Sequence, residues 1–289
     1  MKYREVFEAD CGYRLYRHGV SILLQALSYG RRLTDEQIRA YISAVNTYLD
    51  TISDRPPVGP SELFPLTAST FPKAADRPFF KYVSDETLAF IGRGSFRFGS
   101  AEYYRATENA LIQDVREGLA TFHIGSDDNQ LHASMVSGYN CLLFCGTSTS
   151  DLDSARMKKS FGTNLIRIEN PSAFASQVCS LLGAKAWHIH NVAYTDLKNF
   201  TLELAGIERL PQVTGLGSLS NESIHEINRS FFDIFYQAAF LPSLFAKPLT
   251  YAPERERRIV FELPMDISKP TVVVESKDLL SYVHVEASL

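Results

Sequence analysis

Carboxylates alternate with arginines near the C-terminus, in the run Tyr251-Ala-Pro-Glu254-Arg-Glu256-Arg-Arg258-Ile-Val-Phe261. The apolar residues at its end predict an extended strand, in which successive side chains point to opposite faces. On such a strand Glu254 and Glu256 would share one face, while Arg255 and Arg257 would point the other way. Two carboxylates about two strand rises apart can divide an acid/base or charge-stabilising task. A charge run of this kind is also typical of a solvated edge strand.

A second polar motif, Ser148-Thr149-Ser150, follows directly on the apolar run at 142–144. A short apolar run that ends in small polar residues predicts a buried strand. Together the two motifs indicate a candidate site more strongly than either does alone.

A third segment is dense in functional side chains: Tyr103-Tyr104-Arg105-Ala-Thr-Glu108, followed by Asp114 and Glu117. Aromatic rings beside an arginine can stack on a base or on a nicotinamide ring. The three carboxylates Glu108, Asp114 and Glu117 suit Mg²⁺ instead, which keeps a magnesium-dependent nuclease open as an alternative function. A solvated helix whose tyrosines pack on a sheet is the third interpretation.

The composition is that of an ordinary globular protein, with 289 residues, 45% hydrophobic and 21% charged, and a net charge of −4. This charge excludes a global basic field for nucleic acid, although a local basic groove is compatible with it. Because the chain lacks a run of about 18 apolar residues and begins with a charged segment, we expect a cytoplasmic protein with no membrane partner. We expect reduced cysteines and no metal site, since Cys141 and Cys145 would lie about 13 Å apart on a strand.

The chain divides at the proline-rich run Arg55-Pro-Pro-Val-Gly-Pro60, which is typical of a linker. Before it, apolar residues at helical spacing predict an N-terminal helical region over 1–60, with helices across 13–27 and 34–52.

Beyond the linker, short strands alternate with short helices, which predicts an α+β domain over 71–289 with a mixed or antiparallel sheet. Ser84 and Asn170 stand where two helices would begin, and Gly183 where the second would end.

Four pieces, taken in order, resemble a widespread and poorly characterised bacterial family, the domain of unknown function 2971. They are Phe80-Lys81-Tyr82-Val-Ser84, Gly94-Ser-Phe-Arg97-Phe-Gly-Ser100, Leu143-Phe-Cys145 and Lys247-x3-Tyr251-x2-Glu254-x-Glu256-x-Arg258. The resemblance covers about residues 78–262. It departs from the family where the segment from Tyr104 to Glu117 replaces the usual Asn-Asp-Pro-Phe-Glu run, and where the Met-Trp pair is absent.

The same pieces are similar to ADP-ribosyltransferases of the Arg–Ser–Glu type. Ser148-Thr149-Ser150 and Glu254-Arg255-Glu256 match the second and third motifs of that type, and either Lys81 or Arg97 stands for its first, basic motif. The resemblance implies an ADP-ribosyltransferase-like α+β fold in which these motifs line a cleft for NAD.

The resemblance also implies a role for each residue. Glu256 would stabilise the positive charge that develops on the ribose, and Glu254 would position or deprotonate the acceptor. Ser148 would orient Glu256. The cofactor-binding candidates are Lys81 or Arg97 on the phosphate, Tyr82 or Tyr104 on the nicotinamide, and Ser148 and Ser150 along the cleft.

The function implied is transfer of ADP-ribose from NAD, which is consumed as a substrate without a metal. The expected acceptor is a macromolecule (RNA, DNA or protein), as for a bacterial toxin or phage-defence effector, and an inhibitor protein or antitoxin is an expected partner. Besides the nuclease, the alternative is a non-catalytic interaction module.

Overall fold

The structure is a computed structural model that describes residues 5–9, 12–17, 20–29, 64–65, 71, 73–74, 76–106, 114, 117–126, 129–150, 154–195, 198–202, 232–267 and 269–286. These residues form an α+β protein, which confirms the predicted class. Among them, no helix is long and apolar enough to cross a membrane.

The strands of the described residues are β1 (Glu5–Ala9), β2 (Gly12–Arg17), β3 (Val20–Tyr29), β4 (Phe64–Pro65), β5 (Phe79–Val83), β6 (Ser95–Ser100), β7 (Leu119–Ser126), β8 (Asn129–Ser137), β9 (Cys141–Thr147), β10 (Asn164–Ile168), β11 (Ala186–Asn191), β12 (Ala193–Thr195), β13 (Asn199–Leu202), β14 (Ala246–Pro248), β15 (Glu256–Glu262), β16 (Thr271–Glu275) and β17 (Val283–Glu286). The α-helices are α1 (Asp85–Ile91), α2 (Ala101–Ala106), α3 (Ser154–Phe161), α4 (Pro171–Leu182) and α5 (Phe232–Phe245), and two 3-10 helices span Leu249–Glu254 and Lys277–Tyr282.

The chain forms two compact units whose segments interleave in sequence. The first unit contains 1–67, 118–137 and 195–248, and the second contains 68–117, 138–194 and 249–289. This division differs from the predicted one, because two segments of the expected 71–289 domain belong with the N-terminal residues.

The first unit is built on a seven-stranded sheet in the order β1-β2-β3-β8-β7-β13-β4. Its pairs are antiparallel from β1 to β7, and β13 runs parallel to both β7 and β4. Phe235 of α5 packs edge-on against Phe122 of β7, with ring centroids 5.2 Å apart. Helix α5 therefore covers part of this sheet.

The N-terminal prediction was wrong where the structure describes it. Residues 13–27 were expected to be helical, but they lie in β2 and β3, and β3 pairs antiparallel with β8. An apolar-rich stretch of this length suits either element, and a partner strand more than 100 residues away decides between them. The helix expected over 34–52 lies outside the described residues.

The second unit is built on an eight-stranded sheet. Its main path is β11-β15-β9-β5-β10-β17, and β6 branches from β9 to pair with β16. The pairs between these strands are antiparallel. One face carries the apolar core, in which Phe144, Phe261 and Phe98 pack under Phe174 of α4.

Local signals in the sequence place the helices of this unit. The Ser84 side chain accepts from Thr87 N–H at the start of α1, and Asn170 caps α4 in the same way through Ala173 N–H. Gly183 ends α4 at φ 61°, a left-handed conformation that favours glycine. These three predictions are confirmed.

Candidate functional site

The face of the second sheet away from its apolar core carries the charged residues of the site. Strand β15 pairs with β9 so that Glu256 lies opposite Thr147 and Arg258 opposite Cys145. Because side chains alternate along a strand, and Ile259 belongs to the core, Glu256 and Arg258 share the other face.

Glu256, Arg258 and Glu117 form a buried charge network, here called the Glu–Arg–Glu triad. Arg258 Nε donates to Glu256 Oε1 at 2.5 Å, while its Nη1 and Nη2 donate to the two carboxylate oxygens of Glu117 at 2.7 Å each. The three side chains are at most 5% exposed. Burial lowers the pKa of Arg258, but Glu117 and then Glu256 outweigh it and raise that pKa well above the usual value.

The turn before β7 delivers Glu117 to this network. Glu117 N–H donates to Asp114 C=O at 2.9 Å, and Arg105 of α2 donates to Glu117 C=O at 2.6 Å. The main chain of Glu117 is thus held on both sides. Sequence analysis had offered Glu117 only as a magnesium ligand, since nothing local connects it to an arginine 141 residues away.

Lys81 reaches the site where two strands part. Along one edge, β9 pairs with β6 at Leu142 and Leu143 and with β5 at Thr147. Between these points Lys81 Nζ donates to the carbonyl of Cys145 at 2.5 Å, and lies 4.9 Å from the Phe144 ring centroid. Loss of hydration lowers the pKa of Lys81, while the nearby Cys145 and Glu256 raise it and Arg97 lowers it.

Tyr104 of α2 lies over Gly99 of β6. A Cβ on Gly99 would stand 2.8 Å from the Tyr104 ring, so only glycine allows this approach. The side chains of Tyr104 and Cys145 share a hydrogen bond. Loss of hydration, followed by Cys145 and Glu256, raises the pKa of Tyr104 well above its usual value. The phenol therefore stays protonated at neutral pH.

Cys145 lies at the centre of the site but is not set up as a nucleophile. Burial, followed by the charge of Glu256, raises its pKa to about 12, although Arg258 and Lys81 act in the opposite direction. The thiolate is the reactive form, so this cysteine is inert at neutral pH. As predicted, Cys141 and Cys145 are unpaired thiols, and Cys141 is fully buried.

The arrangement places one fixed carboxylate beside an amine and a phenol. Lys81, Tyr104 and Cys145 are only partly buried, whereas Glu256, Arg258 and Glu117 are buried beneath them. Such a site can hold a developing positive charge against Glu256 and an anion against Lys81.

The structure brings together some of the predicted site residues. Lys81, Tyr104 and Glu256 meet in the site, and the charge of Arg97, which is exposed on β6, acts on Lys81. Tyr82 does not join them, because it is buried against Met157, with Phe161 and Leu165 beside it.

Ser148 and Ser150 follow β9 and are partly buried. Ser148 uses its main chain, since its N–H donates to Arg255 C=O at 2.9 Å. Within the described residues, Arg258 holds the Glu256 carboxylate, and no hydrogen bond joins it to the Ser148 side chain. The orienting role implied for Ser148 is therefore corrected in favour of Arg258.

Glu254 and Glu256 do not share a strand face, which corrects the prediction made from alternation. Glu254 ends a 3-10 helix, β15 begins at Glu256, and Arg255 between them has φ 42°. A left-handed residue breaks the two-residue period. Arg257 does point away from Glu256, as predicted, and donates to Asn191 and to the carbonyls of residues 77 and 78.

The three proposed magnesium ligands are not all in view. Glu108 lies outside the described residues, and Asp114 is buried. Both oxygens of Glu117 accept from Arg258, so this carboxylate is already committed to a cation. Among the described residues, no group of three or more His, Cys, Asp or Glu side chains has the arrangement of a metal site.

Comparisons with known protein families, with curated proteins and with solved structures found no match to this chain. Membership of the resembled families is therefore an expectation from the motifs, and the case for function rests on the geometry of the site.

Proposed function

We propose that this protein is an ADP-ribosyltransferase-like enzyme that consumes NAD, with Glu256 as its catalytic carboxylate. One observation supports this above the others. The Glu256 carboxylate is held by Arg258 beside the partly accessible groups of Lys81 and Tyr104, whose pKa values respond to its charge.

The residues present fit the parts of NAD. A carboxylate suits the ribose hydroxyls, the amine of Lys81 and the guanidinium of Arg97 suit the diphosphate, and the ring of Tyr104 suits the nicotinamide. Tyr82 is left out of the proposal because it is buried in a separate cluster.

The reaction replaces one bond to the ribose by another. The bond between ribose C1′ and the nicotinamide nitrogen breaks, and nicotinamide leaves with the electron pair. A nucleophile of the acceptor then bonds to C1′ and loses its proton to solvent or to a base. Positive charge grows on the ribose as the bond breaks, and a preorganised carboxylate stabilises that charge more than it stabilises the ground state.

The acceptor is proposed to be a macromolecule, either nucleic acid or protein, with water as the slower alternative. An effector role, with an inhibitor protein as partner, follows from the motif resemblance and is part of the same proposal. Glu254 has no role in the mechanism here, because its 3-10 helix sets it apart from Glu256.

The test is incubation of the purified protein with labelled NAD and total cell lysate, with and without EDTA. Label transfer that resists EDTA and is lost in Glu256→Gln supports the proposal. Loss of nucleic acid that EDTA prevents would support the nuclease instead. No transfer and no nucleic-acid loss, with folded protein, would favour the interaction module.

A further inference from the structure

We propose that Glu117 is a positioning residue that lets Arg258 orient Glu256 without cancelling its charge. This inference rests on the proposed function, since it concerns the same carboxylate. It assigns a purpose to a residue that lies far from Glu256 in sequence and that contacts it only through Arg258.

The geometry of the triad is asymmetric. Arg258 gives two hydrogen bonds to Glu117 and one to Glu256. A guanidinium is planar and its donors form a rigid fork, so the bidentate grip on Glu117 fixes the direction in which Nε points. The Glu256 carboxylate is thereby fixed as well.

The charges explain why two carboxylates are needed. One arginine and two glutamates leave one negative charge in the triad. If Arg258 faced Glu256 alone, the pair would be neutral, and its field at a developing cation would be weak. Because Glu117 compensates Arg258, Glu256 retains its negative charge for the ribose.

The other titratable groups around Glu256 do not change this balance. Tyr104 of α2 and Cys145 of β9 have raised pKa values and are uncharged at neutral pH. Lys81 of β5 is the remaining cation whose charge acts on this cluster, and it lies on the partly open side, where we propose that the diphosphate binds.

A purely structural triad would be costly for what it gives. Buried ion pairs lose hydration that their attraction barely offsets, and apolar residues of similar volume often stabilise a core more. A functional role is therefore the better account of three buried charges at this place.

The experiment compares two variants of the full chain with a matched control. Glu117→Gln removes the compensating charge, and Arg258→Met removes the orienting cation. Arg257→Lys is the control, because Arg257 is the adjacent residue, equally buried, but bonds Asn191 and backbone carbonyls on the other face.

For Glu117→Gln we expect the kcat of NAD hydrolysis to fall on the order of tenfold or more, with KM little changed. The acid limb of its pH–rate profile should move to lower pH, because Glu256 then has Arg258 to itself. In Arg258→Met the limb should move to higher pH by about one unit, since the carboxylate has lost its cation. Arg257→Lys should leave the limb in place.

The outcomes separate this proposal from the function itself. Wild-type protein without NAD turnover would overturn the proposed function, and the triad would then be read by a carbon-13 NMR titration of the Glu256 carboxyl in the same variants. Opposite shifts in Glu117→Gln and Arg258→Met support the role of Glu117 by either method. Shifts of the same sign, or activity that falls only in step with thermal stability, would overturn it.

Discussion

Three neighbours hold different parts of Glu256. Arg258 bonds its carboxylate, its N–H donates to the Tyr194 hydroxyl at 2.7 Å, and its C=O accepts from Val192 N–H at 2.9 Å. With main chain and side chain both fixed, the carboxylate needs no reorganisation when charge develops near it. Preorganisation of this kind is the largest single contribution to many enzymatic rates.

The first prediction concerns Glu256→Gln, which keeps the size of the side chain and removes its charge. The chemical step should slow by a factor on the order of 10²–10³, as for loss of one preorganised electrostatic group. NAD affinity should change little, because the charge matters most in the transition state. Single-turnover kinetics and calorimetric titration measure the two quantities.

Glu262→Gln is the control for that change. Glu262 lies at the other end of β15, with Lys185 Nζ 4.0 Å from its carboxylate. It should have wild-type activity. A Glu256→Gln protein that is folded and fully active would end the proposal for the catalytic carboxylate.

The second prediction separates Tyr104 from Tyr82. Tyr104→Ala should weaken NAD binding by about 1–3 kcal/mol, the range for aromatic stacking on bases, while Tyr104→Phe should retain most of the affinity. Tyr82→Ala should leave affinity intact and lower the free energy of unfolding, because Tyr82 is buried against Met157. Calorimetric titration with equal losses for both alanine variants would contradict this assignment.

At the scale of elements, a tight junction brings β9, β15 and the 3-10 helix together. The carbonyl of Arg255, the left-handed residue, accepts from Ser148 N–H at 2.9 Å and from Thr147 Oγ1 at 3.3 Å. These bonds fix the point at which β15 begins, and so place Glu256 as its first residue. The Ser-Thr-Ser motif thus acts on the site through the start of the strand.

The third prediction concerns Gly146, where β9 approaches β5. A Cβ at this position would lie 2.2 Å from Phe80 C=O and 2.5 Å from the Phe79 ring. Gly146→Ala should therefore lower the free energy of unfolding by about 1–3 kcal/mol, the usual cost of overpacking. It should also reduce NAD turnover, because Lys81 meets Cys145 C=O beside this contact.

Gly92→Ala is the matched control for the third prediction. Gly92 has φ −59°, and a Cβ there would lie 3.4 Å from its nearest neighbour, an ordinary contact. This change should leave stability unaltered or raise it by about 0.4–1 kcal/mol. Denaturant unfolding compares the two variants, and equal stability would show that β9 and β5 can separate at low cost.

At the scale of the whole molecule, the two units are interleaved along the chain. The sheet of the first unit takes β1–β3 from the N-terminus, β7 and β8 from the middle and β13 from beyond them. A cut near residue 70 therefore divides a sheet and does not separate domains.

The fourth prediction follows from that pairing. Deleting residues 1–60 removes β1, β2 and β3 and leaves β8, which pairs with β3 along its length, as an uncovered edge. Uncovered edge strands pair with other chains. The truncated protein should aggregate, as measured by soluble yield and light scattering. A soluble monomer with unchanged unfolding would contradict the sheet order.

The sequence by itself determined the features that depend on near neighbours. The caps at Ser84, Asn170 and Gly183, the strand that follows Leu142, and the strand that leads into Phe261 were all predicted. Capping and side-chain alternation involve residues a few positions apart, so the amino-acid types reveal them. The α+β class follows from the same local signals.

Tertiary structure alone decided what depends on distant partners. Glu117 meets Arg258 across 141 residues, and nothing near either one shows that they pair. Tyr104 lies in the site and Tyr82 outside it because each follows the face of its own element. Residues 13–27 are strands because β8 is available to pair with β3. Strand pairing joins distant segments, and its register is set by the whole sheet, so no short window of sequence contains it.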